Sequence, residues 1–277
     1  MTKQTIKDVF FNKSRPLVFG HKGCGGDVPE NTIMSFDKGV KDGADVLEMD
    51  LRMTKDGTIV ISHDAFLEGQ TNGKGWIRNL TVDELKKLDA GYKFSPDDGK
   101  TFPFRGQGIT IPTLEEVFQR YPGIRMNIDL KSRNPLMAKK VVDLLVKYNR
   151  ADITITGSFW HNNVARLRQE MKARGVHDIT CASSDEVTDD IMAANANVAP
   201  IKSPLIVFEV PVDQGDVKVI TPEFIKRAHD KGRVVIPWTI NDEKEMETLF
   251  KMGVDGIVTD KPALAKKVIE KLAQSRP

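Results

Sequence analysis

Apolar runs spaced for strands alternate with helical patterns along nearly the whole chain. Strands are predicted at Leu17–His21, Val46–Leu51, Thr58–His63, Ile124–Lys131, Ile153–Thr156, Ile179–Cys181, Leu205–Val210, Val234–Thr239 and Gly256–Thr259. Helical stretches fall between most of them: Asn31–Lys41, Leu114–Tyr121, Leu136–Tyr148, Asn162–Ala173, Glu186–Ala194, Pro222–Asp230, Glu243–Met252 and Ala263–Leu272. Val234-Val235-Ile236 and Leu205-Ile206-Val207-Phe208 are unbroken apolar runs, as expected of strands covered on both faces. Repeated units of this kind build a doubly wound sheet or a closed barrel. About eight of them, in a length near the usual ~250 residues, favour an α/β fold of the (β/α)8 TIM-barrel type. One strand is surplus to that count. Thr58–His63 reads as a return from Val46–Leu51 through the turn Lys55-Asp56-Gly57.

Local start and stop signals agree. Asn31 or Thr32, after Pro29, can accept a backbone hydrogen bond at the start of the first helix, and Asp42-Gly43 ends it. Thr221-Pro222-Glu223 opens a later helix, with proline where its missing N–H costs nothing. One segment breaks the rhythm. From Asp64 to Ile111 no clean strand–helix unit is visible, only glycines, the turn Pro96-Asp97-Asp98-Gly99 and a short helical stretch near Val82–Leu88. An insertion of that length, straight after a strand-end histidine, reads as a lid or small subdomain. Its aromatic residues Trp76, Tyr92, Phe94, Phe102 and Phe104 either cover a site or anchor the insertion to the barrel.

Two of the strands carry polar side chains where a buried strand should be apolar. Residues two apart on a strand share a face, so Glu48 and Asp50 point together, as do Asp129 and Lys131. Adjacent buried carboxylates are costly without a cation between them. A bound divalent metal is the simplest such cation, and oxygen-only ligands suit Mg²⁺ or Ca²⁺ better than zinc. Active sites of such barrels form at the carboxyl ends of the strands, where His21, Glu48, Asp50, His63, Asp129 and Lys131 all fall.

Composition narrows the class without choosing the chemistry. The chain of 277 residues is 40% hydrophobic and 29% charged, ordinary for a globular protein and ample for one large domain spanning 1–277. A net charge of +2 gives no reason to expect nucleic acid or a membrane surface as partner. Cys24 and Cys181 stand too far apart in sequence to suggest a disulfide framework, which fits a reducing compartment. No signal-peptide core or membrane-length apolar run is present, so a soluble cytoplasmic monomer is expected.

Several motifs resemble the glycerophosphodiester phosphodiesterases. They are Phe19-Gly20-His21-Lys22-Gly23, Pro29-Glu30-Asn31-Thr32, Gly43-Ala44-Asp45 through Glu48-Met49-Asp50, Thr54-Lys55-Asp56-Gly57 and Ile61-Ser62-His63-Asp64. Ile111-Pro112-Thr113-Leu114-Glu115-Glu116-Val117, Trp238-Thr239-Ile240-Asn241 and the run from Gly253 to Pro262 extend the likeness to the C-terminal region. The resemblance implies a βα barrel with an insertion after the second histidine. It also implies acid–base roles for His21 and His63, metal ligation by Glu48 and Asp50, and a phosphate contact for Lys131. Two positions depart from the family: Lys22 stands where arginine is usual, and Asp129 where glutamate is usual. Lysine keeps the charge but loses bidentate geometry toward phosphate. Trp238, at a strand end, either packs against substrate or belongs to the barrel core.

The implied reaction is metal-dependent hydrolysis of a glycerophosphodiester to glycerol 3-phosphate and an alcohol. A rival is the same chemistry on lysoglycerophospholipids, a lysophospholipase D, suggested by Phe208-Glu209-Val210-Pro211-Val212 and Thr221-Pro222-Glu223-Phe224-Ile225. In that case the aromatic insertion could shelter the acyl chain. A non-catalytic barrel that binds metal or phosphate is the alternative from another class, but no histidine or carboxylate of the set is missing. His161, His177 and His229 read as surface residues, and nothing marks Cys24 as a nucleophile.

Overall fold

The computed structural model describes residues 10–11, 14–177, 179–196, 203–204 and 206–274. In chain order its elements are β1 (Leu17–Gly20), α1 (Ile33–Lys41), β2 (Val46–Met53), β3 (Ile59–Ile61), α2 (Val82–Leu85), α3 (Leu114–Arg120), β4 (Arg125–Leu130), α4 (Leu136–Lys147), β5 (Thr154–Gly157) and α5 (His161–Ala173). They continue with α6 (Ser184–Asn195), β6 (Val207–Pro211), β7 (Asp213–Gln214), β8 (Val217–Lys218), α7 (Pro222–Asp230), β9 (Val234–Trp238), α8 (Glu243–Met252), β10 (Gly256–Thr259) and α9 (Pro262–Gln274). Most predicted elements recur with ends moved by a residue or two, the usual uncertainty of frayed ends.

Parallel pairing runs in the order β10-β1-β2-β4-β5, with β3 antiparallel on β2 as the expected return strand. A second parallel pair joins β6 to β9. The predicted strand Ile179–Cys181 supplies only isolated parallel bridges, Thr156 to Thr180 and Cys181 to Val207. Backbone bonds from Asp255 N to Val235 O (3.0 Å) and from Ile240 N to Val258 O (2.9 Å) join the β9 and β10 segments. Leu205, the first residue of another predicted strand, lies outside the described residues. The β7–β8 hairpin was not expected: its four strand residues are exposed, so no apolar alternation marks it.

Strand faces divide the interior. Leu47, Met49 and Leu51 of β2 pack with Phe36, Val117 and Val141 from the helices, forming the layer between sheet and helices. Val46, on the opposite face, joins Phe19, Ile155, Val207, Ile236 and Val258 in a cluster drawn largely from the strands. Glu48 and Asp50 continue that second face toward the carboxyl end of β2. Register aligns Glu48 with Asn127 and Asp50 with Asp129 on the neighbouring strand, so the acidic residues meet across one ladder.

Turn chemistry follows the sequence closely. Thr32 caps α1 by accepting from Ser35 N, and Gly43 beyond its end takes φ 91°, a left-handed conformation that favours glycine. Capping boxes at Thr113/Glu116 and Ser183/Glu186 start α3 and α6. Residues 64–111 fold around Leu67, Ile77, Leu85, Ile109 and Ile111, which gather against Val60. Their aromatic groups largely satisfy one another: Phe66 lies 4.0 Å from Trp76, Phe94 5.3 Å from Phe104, and Arg105 stacks on Phe102 and Tyr92. Among the described residues no helix is long and apolar enough to cross a membrane.

Candidate active site

All the site residues expected from the sequence line one cavity of about 830 Å³. Glu48 and Asp50 enter from β2, Asp129 from β4, and Lys131 from just beyond β4. His21 and Lys22 follow β1, His63 follows β3, and Trp238 closes β9. Alternation along the strands places the acidic groups on the inner face, while the histidines sit where the chain leaves the sheet.

Charge in this cavity is concentrated and incompletely balanced. Glu48 accepts a bond from Lys22 N (2.7 Å), yet burial and the neighbouring Asp50 push its carboxyl up to about 8. Asp50 accepts from the Asn31 amide (3.0 Å) and lies 3.4 Å from Lys131 Nζ. Lys131 Nζ pairs more closely with Asp129 Oδ2, at 2.7 Å, while Asp129 Oδ1 is buried without a partner. Burial raises the Asp129 carboxyl, and Lys131 only partly opposes that. The Lys131 ammonium is itself held above its ordinary value: burial would lower it, but Asp129 and Asp50 outweigh that effect. One close ammonium among two buried carboxylates and the half-buried Asp129, with an orphaned acceptor oxygen, fits a further cation. Glu48, Asp50 and Asp129 are the residues that would hold it, and an all-oxygen set suits a hard divalent ion.

A second group has ligand atoms close enough for a metal: those of Cys24, Asp27 and Asp42 lie within 4.8 Å of one another. Its chemistry fits poorly. Lys38 Nζ already bridges Asp27 (3.0 Å) and Asp42 (2.7 Å), and burial together with Asp27 pushes the Cys24 thiol up to about 12. A lysine fills the cationic position, and the thiol keeps its proton.

The two histidines are oriented by carboxylates. His21 Nδ1 lies 2.7 Å from Asp260 Oδ1, and Asn241 donates to the other Asp260 oxygen at 2.6 Å. Burial alone would raise the Asp260 carboxyl, but the bond and charge of His21 hold it low, so it stays ionised and accepts from Nδ1–H. Nε2 is then the ring nitrogen left for proton transfer. Burial would lower the His21 imidazole, but Asp260 and Glu48 raise it overall. His63 Nδ1 pairs with Asp64 at 2.8 Å, in a more open position. Lys22 Nζ is bonded to Glu30 at 2.9 Å, so its charge is steadied beside the cavity.

Several supporting residues carried no role at the site in the sequence reading, where Asn31 was only a candidate helix cap. Asp260 and Asn31 lay inside recognised motifs, but only the fold shows which side chains they hold. Arg52 donates to the backbone carbonyls of His63 and Lys131, tying the two loops together. Glu209 of β6 also faces the cavity, bonded by Asn127 (2.9 Å) and by the Cys181 thiol (3.2 Å). Its signal was a single acid inside the apolar run around Phe208 and Val210. Beyond Trp238 the wall turns apolar: Phe159 meets Trp238 edge-on at 6.0 Å, and Lys131 Nζ lies 4.6 Å from the Phe159 ring centre.

Residues 21–264 match the glycerophosphoryl diester phosphodiesterase family. The chain is 32% identical to the glycerophosphodiester phosphodiesterase of Caldanaerobacter subterraneus subsp. tengcongensis, across 93% of this chain and 99% of that protein. It is 28% identical to a human lysophospholipase D, GDPD1, covering 87% and 82% of the two chains. Among solved structures, an Oleispira antarctica phosphodiesterase in complex with the product sn-glycerol-3-phosphate aligns with TM-score 0.72 at 25% identity, covering 94% and 99%. A glycerophosphoryl diester phosphodiesterase domain from Mycobacterium tuberculosis aligns with TM-score 0.80 at 19% identity, covering 92% and 99%, a likeness of fold. Motifs, family match and whole-length relatives agree: the chain belongs to the glycerophosphoryl diester phosphodiesterase family.

Proposed function

We propose that this protein hydrolyses glycerophosphodiesters to glycerol 3-phosphate and an alcohol at the mouth of a (β/α)8 barrel, with residues 64–111 as an insertion after His63. The observation that carries the proposal is the convergence of two carboxylate-oriented histidines, two lysines and an under-neutralised carboxylate cluster on one cavity. A phosphodiester is an anion that repels nucleophiles, so the site must supply positive charge where more negative charge develops. Lys22 and Lys131 bind the phosphate oxygens in this scheme. Of the imidazoles at His21 and His63, one removes a proton from the attacking oxygen and the other delivers one to the departing alkoxide. Asp260 and Asp64 keep each ring turned for that exchange.

Glu48, Asp50 and Asp129 would hold one divalent cation, Mg²⁺ or Ca²⁺, which when bound would supply Lewis-acid polarisation and offset charge. Trp238 packs against the organic part of the substrate. Over the whole reaction one water is consumed. The bond from phosphorus to the head-group oxygen breaks, phosphorus gains an oxygen, and the alcohol leaves with a proton. The same reaction on an acylated glycerophosphodiester, the activity named for the human relative, uses identical groups at phosphorus. Release of glycerol 3-phosphate from glycerophosphocholine with Mg²⁺, with Ca²⁺ and after EDTA tests the proposal. Metal-dependent release is expected; a folded protein that binds the ions without turnover would make it a binding barrel instead.

A further inference from the structure

The polar mouth occupies only part of the cavity, and the remainder is built from residues that catalysis does not use. Helix α6 turns Ser184, Val187, Thr188, Ile191 and Met192 toward it. Their spacing of three and four residues marks one helix face. The facing wall comes from β6 and the β7–β8 hairpin through Val210, Pro211, Val217 and Val219. At the rim, among the described residues, Met192 is 63% exposed, Val217 54% and Phe159 47%. Large apolar side chains left in water around a cavity mouth mark a surface that something apolar covers. No residue between 64 and 111 lines this cavity, so its apolar wall comes from other elements.

Polar bonds hold α6 in place, while Val187 and Ile191 of its apolar stripe rest partly on the neighbouring core and still line the cavity, with Met192 exposed beside them. Asp190 accepts from Lys231 (2.8 Å), Arg233 (3.0 Å) and Arg227 (3.1 Å), and Glu186 pairs with Arg168 at 2.6 Å. The stripe is continuous with the phosphate end of the cavity through Phe159 and Trp238. An occupant of both regions therefore carries its apolar part covalently attached to the phosphodiester. A bare glycerol and a small head group would leave the α6 wall uncovered.

We infer that α6 and the β7–β8 hairpin form a groove for the acyl chain of a lysoglycerophospholipid, so that the protein prefers acylated glycerophosphodiesters. The inference rests on the phosphodiesterase function proposed above. In the reaction on such a substrate, water supplies the oxygen that phosphorus gains. The phosphorus–head-group bond breaks, and the products are lysophosphatidate and the protonated alcohol.

The test compares glycerophosphocholine with hexanoyl, decanoyl and tetradecanoyl lysophosphatidylcholine, each kept below its micelle concentration, with Mg²⁺ or Ca²⁺. We expect kcat/KM to rise about twofold per methylene until the groove is filled, because a groove open on one side shields roughly half of each methylene. Met192→Glu and Val217→Lys, at exposed positions that tolerate charge, should each flatten that slope and cut the decanoyl-to-glycerophosphocholine ratio about tenfold. A flat wild-type series with brisk glycerophosphocholine turnover would overturn the groove and leave the phosphodiesterase standing. A rising series that neither variant flattens would remove these walls as its cause. No turnover on any substrate would defeat the underlying reaction, and this inference with it.

Discussion

Two clusters of buried charge in this molecule reach opposite outcomes. At Asp190 one carboxylate, 3% exposed, meets Arg227, Lys231 and Arg233. Burial would raise that carboxyl, but Lys231 and Arg227 hold it below its ordinary range. In the cavity, Glu48, Asp50, Asp129 and Glu209 share Lys131 as a nearby ammonium, one oxygen has no partner, and the carboxyls of Glu48, Asp129 and Glu209 are raised. The ingredients are the same. A cluster that serves the fold satisfies its own hydrogen bonds, whereas one that serves a ligand keeps charge unmet until the ligand arrives.

The largest expected effect is on turnover. His21→Ala and His63→Ala should each lower kcat by about 10²–10⁴ while far-UV circular dichroism stays that of the parent. Near-normal turnover in either variant would remove that residue from the chemistry. Next is the structural cluster: Asp190→Ala strands three cations and should cost about 3 kcal/mol in urea unfolding, near the lower end for breaking a buried pair because two partners are partly exposed. A loss below about 0.5 kcal/mol would rank Asp190 with ordinary surface pairs.

The cavity should respond to ions in the opposite sense. Saturating Mg²⁺ or Ca²⁺ at about a hundred times Kd should add about 2.7 kcal/mol. Glu48→Gln should abolish that increment while raising the melting temperature of the metal-free protein at pH 8. A melting temperature indifferent to both ions would place no metal among these carboxylates.

Proton binding sharpens the contrast further. The Glu48 carboxyl is raised in the folded protein from an ordinary 4.5 to about 8. Its contribution to stability is therefore full below about pH 4.5 and lost as pH rises through 8, so the metal-free melting temperature should climb as pH falls across that window. Asp190 is lowered, so its contribution is present above the unfolded carboxylate value of about 3.9 and disappears as pH falls through its folded value. The smallest effect is local: Asp260→Asn should lower the His21 titration midpoint seen by NMR in metal-free protein, since the Asp260 bond helps hold that imidazole up.

The sequence made one kind of site residue legible and hid another. Glu48, Asp50, Asp129 and Lys131 stood out because a two-residue period places them on a face that should be apolar, and His21 and His63 because they end strands. Asp260 could not be paired with His21 by spacing, since 239 positions separate them. Glu209 was masked because a single acid in an apolar run is also the mark of an edge. The predicted strand Ile179–Cys181 pairs in parallel with β5 and β6 through single bridges, since so short a run leaves room for no longer ladder. The β7–β8 hairpin escaped because two exposed strands of two residues each are too short to leave a periodic trace. The aromatic residues between 64 and 111 drew attention as an acyl shelter, but Phe66 packs on Trp76 and Phe94 on Phe104, and none lines the cavity.

The span of the His21–Asp260 bond also has a bearing on how the protein assembles. Glu48, Asp50 and His63 arrive together on the β2–β3 hairpin, a local unit that closes quickly. His21 is oriented only when β10 docks beside β1, a contact between distant residues that forms slowly. During refolding, regained catalysis should therefore trail regained secondary structure, making activity a clock for the joining of β1 and β10.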